Sequence, residues 1–266
     1  MTTTPHTPTI GLRTPAGRVD IPLLGFGTWQ SEGDDAYTSV RTALDVGYRH
    51  IDTATAYGNE DQVGRALADS GVDRADIFVT TKLPPGHLGE ERATLEESLR
   101  LLGTDYVDLW LIHWPPNREA TPAMWEHLIG AQEAGKARAV GVSNYSVAQL
   151  DELAAATGVM PSINQIPWSP GDHDAELVAA LRERDVVLEG YSPFKRTDMD
   201  DPELVAIARA HDVQPTQVVL RWHVQREFVA IPKSVTPERI AANLDVFGFE
   251  LTQDELARLD ALAPSR

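Results

Sequence analysis

Short, uniformly apolar runs alternate with longer amphipathic segments along the chain from Leu23 onward. A strand with one solvated face alternates apolar and polar residues. These runs are too apolar for that pattern, so they are typical of strands buried on both faces of a parallel sheet. The predicted strands span residues 23–28, 50–54, 77–83, 107–113, 137–143, 162–166, 186–192 and 228–233.

Helices are predicted between these strands, where leucines and alanines recur at three- and four-residue steps. The clearest segments are residues 35–46, 91–102, 124–134, 147–156 and 175–184, and two additional helices are expected over 216–226 and 254–263. Eight strand–helix units favour an α/β fold in which parallel strands close into a (β/α)8 barrel, or TIM barrel. An open doubly wound sheet is the alternative fold.

The N-terminal region is predicted to add a β-hairpin to this barrel. Residues 9–22 contain two short strand-like segments around the turn sequence Thr-Pro-Ala-Gly, and we expect the hairpin to close one end of the barrel. The Thr- and Pro-rich residues 1–8 are predicted to be mobile. Because no linker or shift in charge divides the remainder, residues 9–266 are predicted to form a single domain.

The chain has no cysteine and a formal net charge of −17. The lack of cysteine excludes disulfides, zinc sites built on thiolates and a cysteine nucleophile. The negative charge disfavours non-specific binding to nucleic acid or to an anionic membrane, so an anionic cofactor needs a local basic pocket. No apolar run approaches the roughly 20 residues of a membrane span, and the N-terminus lacks the features of a signal peptide, so we predict a cytoplasmic protein.

Polar residues follow three neighbouring predicted strands at their carboxyl ends, where barrel enzymes build their active sites. Asp52 ends the second strand and Tyr57 follows it in the loop, whereas Lys82 and His113 end the third and fourth strands. Each residue alone has a structural explanation, such as a turn cap, a solvated ammonium group or a packed ring. Because the strand ends are adjacent, we expect the four side chains to converge on one site.

The chemistry that this group predicts is proton transfer to a carbonyl oxygen. A free tyrosine has a pKa of about 10, and a nearby cation lowers that pKa by favouring the phenolate. Lys82 can supply the cation, and Asp52 can keep a buried Lys82 charged. We therefore predict that Tyr57 donates the proton as the general acid and that His113 orients the carbonyl oxygen.

A second polar set follows the later predicted strands and suits a nicotinamide with its phosphates. It combines amides, hydroxyls, a flat aromatic ring and basic groups, one of them near the start of a helix predicted at Pro237. The set consists of Ser143, Asn144, Gln165, Tyr191, Ser192, Lys233, Ser234 and Arg239. The glycines of Leu-Gly-Phe-Gly-Thr do not complete a dinucleotide fingerprint, because the third glycine is missing.

From about Thr9 to Leu262 the chain resembles the aldo-keto reductase family, in particular compact bacterial members related to 2,5-diketo-D-gluconic acid reductase. The matching motifs are Leu-Gly-Phe-Gly-Thr-Trp, His-Ile-Asp-Thr-Ala-Thr-Ala-Tyr-Gly-Asn-Glu, Thr-Thr-Lys-Leu, Leu-Ile-His-Trp-Pro, Gly-Val-Ser-Asn-Tyr, Asn-Gln-Ile and Ile-Pro-Lys-Ser. The resemblance implies an NADPH-dependent oxidoreductase that reduces a carbonyl to an alcohol by hydride transfer. The catalytic tetrad that it implies is Asp52, Tyr57, Lys82 and His113.

The resemblance also implies how the cofactor is held. The implied contacts are Ser143, Asn144 and Gln165 to the carboxamide of nicotinamide, Tyr191 to its ring, Lys233, Ser234 and Arg239 to the 2′-phosphate, and Asn243 to the adenine. Where relatives often carry a glutamate just before that asparagine, this chain has Ala242. We therefore expect NADPH as the cofactor, with NADH as a weaker alternative.

Trp29 and Trp114 follow the first and fourth predicted strands, so we expect them to form apolar walls of the substrate mouth beside His113. In the family a C-terminal tail often covers the pocket, and this chain ends soon after its final predicted helix. We therefore expect an open site that accepts small aldehydes, α-dicarbonyls or keto-sugars. A typical member of the family is a monomer.

Two other functions stay open from the sequence. One is an NADPH-binding module that senses redox state or binds a partner protein with little turnover. The other is a barrel hydrolase in which Asp52 and a second carboxylate flank the site roughly 5 to 10 Å apart, and Glu189 is the candidate for that carboxylate. A metal site is disfavoured, because His113 has no second ligand at suitable spacing on its own strand.

Overall fold

The structure is a computed structural model that describes residues 7–264. Its first elements are two antiparallel strands joined by a two-residue turn, β1 (Thr9–Thr14) and β2 (Gly17–Pro22). Gly17 has a φ of 130°, a conformation that favours glycine and lets the second strand turn back at once. The predicted hairpin is confirmed, whereas the segment predicted to be mobile, residues 1–8, lies mostly outside the described residues.

Eight parallel strands follow the hairpin, and each pairs with the next one in chain order. They are β3 (Phe26–Gly27), β4 (His50–Asp52), β5 (Phe78–Leu83), β6 (Val107–Ile112), β7 (Ala137–Ser143), β8 (Ile163–Pro167), β9 (Val187–Tyr191) and β10 (Val229–Ile231). Leu24 and Ala230 form a parallel bridge, and the amide of Gly27 donates to the carbonyl of Pro232 over 3.0 Å, so the first of these strands also meets the last. The predicted (β/α)8 barrel is confirmed, and the open doubly wound sheet is wrong.

Ten α-helices lie within residues 7–264. They are α1 (Gly33–Val46), α2 (Glu60–Asp69), α3 (Glu91–Leu102), α4 (Pro122–Glu133), α5 (Val147–Thr157), α6 (Ala175–Glu183), α7 (Pro202–Ala210), α8 (Pro215–Gln225), α9 (Pro237–Leu244) and α10 (Gln253–Asp260). The two additional helices predicted from the sequence are α8 and α10. Within this part of the chain, no helix combines the length and the apolar composition that a membrane span requires.

Helices α2 and α7 are absent from the segments predicted above, and the reason is clearest for α2. Gly64 lies in the middle of this helix, and glycine lowers helix propensity by about 1 kcal/mol relative to alanine. A Cβ atom at Gly64 would lie 2.3 Å from the carbonyl oxygen of Leu101 in α3. The glycine thus weakens the local helix signal while it allows α2 and α3 to pack closely.

Apolar side chains fill two layers, one inside the barrel and one between the strands and the helices. Leu12 and Ile21 of the hairpin are fully buried, and they join the interior layer with residues at the amino ends of the strands. Polar side chains instead occupy the interior toward the carboxyl ends, where Asp52, Lys82 and Glu189 are all buried. The hairpin therefore covers one end of the barrel, and the polar residues gather toward the other.

Candidate active site

A cleft of about 730 Å³ opens at the carboxyl ends of the strands. The predicted site residues that line it are Trp29, Asp52, Tyr57, His113, Trp114, Ser143, Asn144, Gln165, Tyr191, Ser192 and Lys233. A second cavity of about 730 Å³ lies beside the hairpin and contains none of the predicted site residues. The chemistry expected from the sequence therefore belongs to the first cleft.

Lys82 lies fully buried beneath this cleft and binds two other members of the predicted tetrad. Its Nζ donates to Asp52 Oδ1 over 2.6 Å, to the carbonyl oxygen of Thr53 over 2.7 Å and to Tyr57 Oη over 3.4 Å. These three acceptors match the three N–H groups of an ammonium ion. The structure thus connects Asp52, Lys82 and Tyr57 through a single cation.

Burial and charge act in opposite directions on the protonation of these groups. Burial alone would lower the pKa of Lys82, but the attraction of Asp52, together with that of Tyr57 and Glu189, outweighs it, so the pKa is raised and Lys82 stays charged at neutral pH. Burial raises the pKa of Asp52 although Lys82 opposes this change. Burial likewise raises the pKa of Tyr57, because the loss of hydration outweighs the attraction of Lys82. The expectation that Lys82 brings the pKa of Tyr57 below its ordinary value is therefore wrong, and Tyr57 holds its proton at neutral pH.

The loop that carries Tyr57 is fixed by Asn59, a residue to which the sequence analysis assigned no role. Asn59 is buried, and its Nδ2 donates to the carbonyl oxygens of Thr28 and Ser31 over 3.0 and 2.9 Å. Its Oδ1 accepts a hydrogen bond from the Thr53 hydroxyl over 2.9 Å. These bonds tie the loop after β4 to the loop after β3. The position of this asparagine two residues after Tyr57 is the signal that could have indicated its role.

His113 completes the predicted tetrad from the end of β6. Its ring lies edge to face with the ring of Tyr57, with the two centroids 5.6 Å apart. Burial, with a smaller contribution from the charge of Lys82, lowers the pKa of His113 to about 3. The imidazole is therefore neutral at physiological pH, and one ring nitrogen carries a hydrogen that can be donated to a carbonyl oxygen.

Asn144 connects several groups that were predicted to surround the nicotinamide. It has a left-handed φ of 65°, which asparagine tolerates better than most residues and which turns the chain sharply after β7. Its Nδ2 donates to Ser143 Oγ over 2.9 Å and to the carbonyl oxygen of His113 over 3.2 Å. Its Oδ1 accepts a hydrogen bond from Tyr191 Oη over 2.9 Å, which fixes the tip of that ring beside the cleft.

Gln165 spans the barrel interior from β8 to β4. Its Nε2 donates to Asp52 Oδ2 and to Glu189 Oε2, both over 2.9 Å. Glu189 is fully buried and is not among the residues that line the cleft. Burial, strengthened by the nearby charge of Asp52, raises the pKa of Glu189 to about 8. The hydrolase hypothesis requires two carboxylates that flank the cleft. Asp52 and Glu189 do not meet this requirement, because both bind the same amide nitrogen of Gln165.

The residues predicted to bind phosphate and adenine follow β10 and continue into α9. Lys233 lines the cleft, and its Nζ donates to the carbonyl oxygen of Gln30 over 3.0 Å. Ser234 accepts a hydrogen bond from the amide of Thr236. Arg239 is exposed on the first turns of α9, and Asn243 is buried near its end. These last groups lie outside the residues that line the cleft.

The donor groups of the cleft fit a dinucleotide phosphate. Amides and hydroxyls lie at its floor, and the Tyr191 ring stands at one wall. Three basic residues, Lys195, Arg196 and Lys233, also line the cleft, and Arg196 pairs with Asp172 over 2.8 Å. These basic side chains occur in a protein with a net charge of −17, and basic groups in the cleft are what an anionic cofactor requires. Among residues 7–264, no group of three His, Asp or Glu side chains is placed to hold a metal ion.

Comparison with known proteins agrees with this chemistry. A model of the aldo/keto reductase family matches residues 23–264. Morphine 6-dehydrogenase of Pseudomonas putida is 44% identical over 261 residues, which cover 92% of this chain and 88% of that protein. An aldo/keto reductase structure from Brucella melitensis has a TM-score of 0.91 and 41% identity, and the match covers 96% of this chain and 99% of that one. A Bombyx mori aldo-keto reductase solved in complex with NADP has a TM-score of 0.87 and 34% identity over 96% of this chain and 92% of that one.

Proposed function

The chain belongs to the aldo/keto reductase family, and on that premise we propose that it is an NADPH-dependent reductase that converts the carbonyl of a small molecule to an alcohol. The observation that carries the proposal is the connection of Asp52, Lys82 and Tyr57 at the floor of the cleft. Such a buried cation beside a phenol serves acid–base chemistry, and an isolated binding module has no need for it.

Tyr57 acts as the general acid in this proposal. NADPH, when bound, supplies the hydride that reaches the carbonyl carbon. The phenol holds its proton at neutral pH because burial raises its pKa, and it donates that proton to the carbonyl oxygen. Lys82 then stabilises the phenolate that remains, while the neutral His113 donates a hydrogen bond that orients the same oxygen.

The residues that would hold NADPH are divided between the floor and the rim of the cleft. Ser143, Asn144 and Gln165 would bind the carboxamide of nicotinamide, and Tyr191 would stack on its ring. Around the rim, the remaining contacts would be Ser192, Lys233, Ser234 and Arg239 to the phosphates and Asn243 to the adenine. Ala242 removes one potential polar contact beside that asparagine, so we expect NADH to be used weakly.

The proposed substrates are small aldehydes, α-dicarbonyls or keto-sugars. Trp29 and Trp114 line the cleft with side chains that are 50% and 48% exposed. Two exposed indoles at one mouth offer apolar walls to a small molecule whose carbonyl reaches Tyr57 and His113. We also propose that residues 9–266 form one domain, because the bridge between Leu24 and Ala230 joins the beginning and the end of the barrel in one sheet.

Replacement of Tyr57 tests the proposed acid. In Tyr57→Phe, carbonyl reduction should fall by about 10²- to 10⁴-fold, which is the usual contribution of a general acid, while the affinity for NADPH stays within about twofold. Consumption of NADPH with a panel of these carbonyl compounds measures the first effect, and a fluorescence titration measures the second. Tyr37→Phe is the matched control, since Tyr37 binds Asp69 on the exposed surface. Reduction by Tyr57→Phe at a rate within a few-fold of wild type would refute the assignment.

Replacement of the basic residues tests the cofactor preference. Arg239→Ala should raise the KM for NADPH by about tenfold and leave that for NADH nearly unchanged, because a charge-assisted bond to the 2′-phosphate is lost. Lys233→Ala should show the same preference with some loss for both cofactors, because Lys233 also binds the carbonyl of Gln30. Equal effects on both cofactors in Arg239→Ala would show that this residue does not recognise the 2′-phosphate.

A further inference from the structure

Glu189 is a buried acid that the proposed reaction does not use. It lies on β9 directly opposite Gln165 of β8 in the parallel register, and both side chains point into the barrel. Its Oε2 accepts a hydrogen bond from Gln165 Nε2 over 2.9 Å, and its Oε1 has no hydrogen-bond partner among the described residues. The Nε2 of His50 is 3.8 Å from that oxygen, beyond hydrogen-bond distance. A fully buried carboxyl group with a single bonded partner exerts its effect through that partner.

The partner is fixed in one orientation. Gln165 Nε2 has two hydrogens, and they bond to Asp52 Oδ2 and Glu189 Oε2. If the amide were rotated by half a turn, its carbonyl oxygen would lie against Asp52 Oδ2, so the hydrogen bond to Asp52 would be replaced by a contact between two acceptors. Gln165 therefore presents its Oε1 as the atom that is available to the cleft.

Asp52 alone would fix this orientation less firmly. Its other oxygen already accepts from Lys82, and without Glu189 the second N–H of Gln165 would be buried without an acceptor. A buried donor that loses its acceptor is destabilised, so Gln165 would shift to find a new partner. Glu189 completes the pair of acceptors that holds the amide in place.

We propose that Glu189 is a positioning residue that, together with Asp52, keeps the carbonyl oxygen of Gln165 directed toward the carboxamide NH₂ of the nicotinamide. This inference rests on the proposed function, in which Gln165 binds that carboxamide. Glu189 touches neither cofactor nor substrate, and it acts only through Gln165. A neutral carboxyl group can serve this role, since the acceptor is its Oε2 and the group needs no counter-ion.

The test compares a ligand that contains the nicotinamide with one that lacks it. The intrinsic fluorescence of the purified protein is titrated with NADP⁺ and with 2′-phospho-ADP-ribose, for wild type, Glu189→Met, Glu189→Leu and Glu189→Gln. The apolar variants should weaken NADP⁺ by about fivefold, the effect of one lost hydrogen bond, and leave 2′-phospho-ADP-ribose unchanged. Glu189→Gln should stay near wild type, because its carbonyl oxygen can still accept from Gln165.

A cofactor analogue gives a second measurement. The 3-acetylpyridine analogue of NADP⁺ has a methyl group in place of the carboxamide NH₂, so it cannot donate to Gln165. Wild type should prefer NADP⁺ over this analogue, and the preference should shrink in the apolar variants of Glu189. Asp108→Asn is the control for a buried carboxyl group elsewhere, since Asp108, which lies on β6, pairs with Arg74 and Arg138. This variant should leave the preference intact.

The outcomes separate this inference from the proposed function. Wild-type protein that binds neither nucleotide would overturn both. If wild type binds NADP⁺ and the apolar variants show the same ratio of affinities for NADP⁺ and 2′-phospho-ADP-ribose as wild type, the role of Glu189 alone is overturned. Equal weakening of both nucleotides would also overturn it, because a purely structural defect has that effect. Two apolar variants, Glu189→Met and Glu189→Leu, are made so that the test can still be performed if one of them does not fold.

Discussion

Removal of the cation from the barrel interior tests the electrostatic basis of the site. In Lys82→Met the ammonium group and its bonds to Asp52, Thr53 and Tyr57 are lost. Among residues 7–264, Asp52 then keeps a single side-chain hydrogen bond, the one from Gln165 Nε2. Loss of one partner of a buried ion pair costs about 3–5 kcal/mol, since the remaining charge is not compensated.

A double-mutant cycle separates the pair from the individual side chains. Asp52→Asn should also destabilise the protein, because Lys82 then lacks its carboxylate. The double variant Asp52→Asn/Lys82→Met leaves no unpaired charge, so its loss of unfolding free energy should be smaller than the sum of the two single losses by about 1.5 kcal/mol or more. Additive effects within about 0.5 kcal/mol would refute the view that these residues act as a pair.

The same variant should respond to pH in a defined direction. Burial already raises the pKa of Asp52, and the loss of Lys82 removes the attraction that opposes this rise. When the pKa of a carboxyl group is higher in the folded protein than its unfolded value of about 3.9, the free energy of unfolding of the protein falls as the pH rises through the pKa of the folded state. The deficit of Lys82→Met relative to wild type should therefore shrink as the pH falls from about 8 to 5, by up to about 1.4 kcal/mol per pH unit.

Urea unfolding followed by circular dichroism at both pH values measures these free energies. Lys136→Met is the matched control, because Lys136 pairs with Glu96 on the exposed surface over 2.6 Å, and such pairs contribute little to stability. Its free energy of unfolding should change little and should show no comparable pH response. A deficit in Lys82→Met that is the same at both pH values would contradict the assignment of the buried charge.

Two further predictions concern the proposed hydrogen-bond donor and the helix packing. Because the pKa of His113 is lowered to about 3, its ring stays neutral and kcat/KM for carbonyl reduction should show no titration of this residue between about pH 5 and 7; a step near pH 6 that disappears in His113→Gln would contradict this. Gly64→Ala should cost about 1–3 kcal/mol, because its Cβ would meet the carbonyl of Leu101 at 2.3 Å. Gly130→Ala, in a helix with no atom within 4 Å of the added carbon, should instead gain up to about 1 kcal/mol. Equal changes in thermal unfolding for the two alanine variants would show that the close approach of α2 and α3 is not the cause.

The sequence predicted the barrel and the place of the site because both depend on patterns that repeat along the chain. Apolar runs locate parallel strands, and the polar residue at the end of each run therefore faces the cleft, as Asp52 and His113 do. The first strand is shorter than predicted, since only Phe26 and Gly27 form regular strand pairs. The local pattern was sufficient to predict the site where each strand contributes the residue at its carboxyl end to the same end of the barrel.

Other features depend on contacts between distant residues and could not be obtained from local pattern. The bond between Gln165 and Asp52 joins positions 113 apart, and the shared amide nitrogen is visible only in three dimensions. Whether the pKa of Tyr57 is raised or lowered depends on the balance between burial and the attraction of Lys82. Spacing along the chain does not reveal that balance. Gly64 is a further case, because the glycine that lets α2 approach α3 closely also weakens the local helix signal.

The contact between the first and last strands of the barrel, β3 and β10, has a consequence for how the protein folds. The bond from Lys233 to the carbonyl of Gln30 joins positions 203 apart, and contacts so distant along the chain are slow to form because a large loop must close first. We therefore expect the strands that carry Asp52, Lys82 and His113 to pair with their neighbours before that closure, and the rim that includes Lys233 to form afterwards. A nucleotide that binds only the closed barrel would stabilise it by about 2.7 kcal/mol at a concentration of 100 times Kd. A bound nucleotide should therefore lower the population of protein in which the contact between β3 and β10 is open, and it should slow proteolysis there.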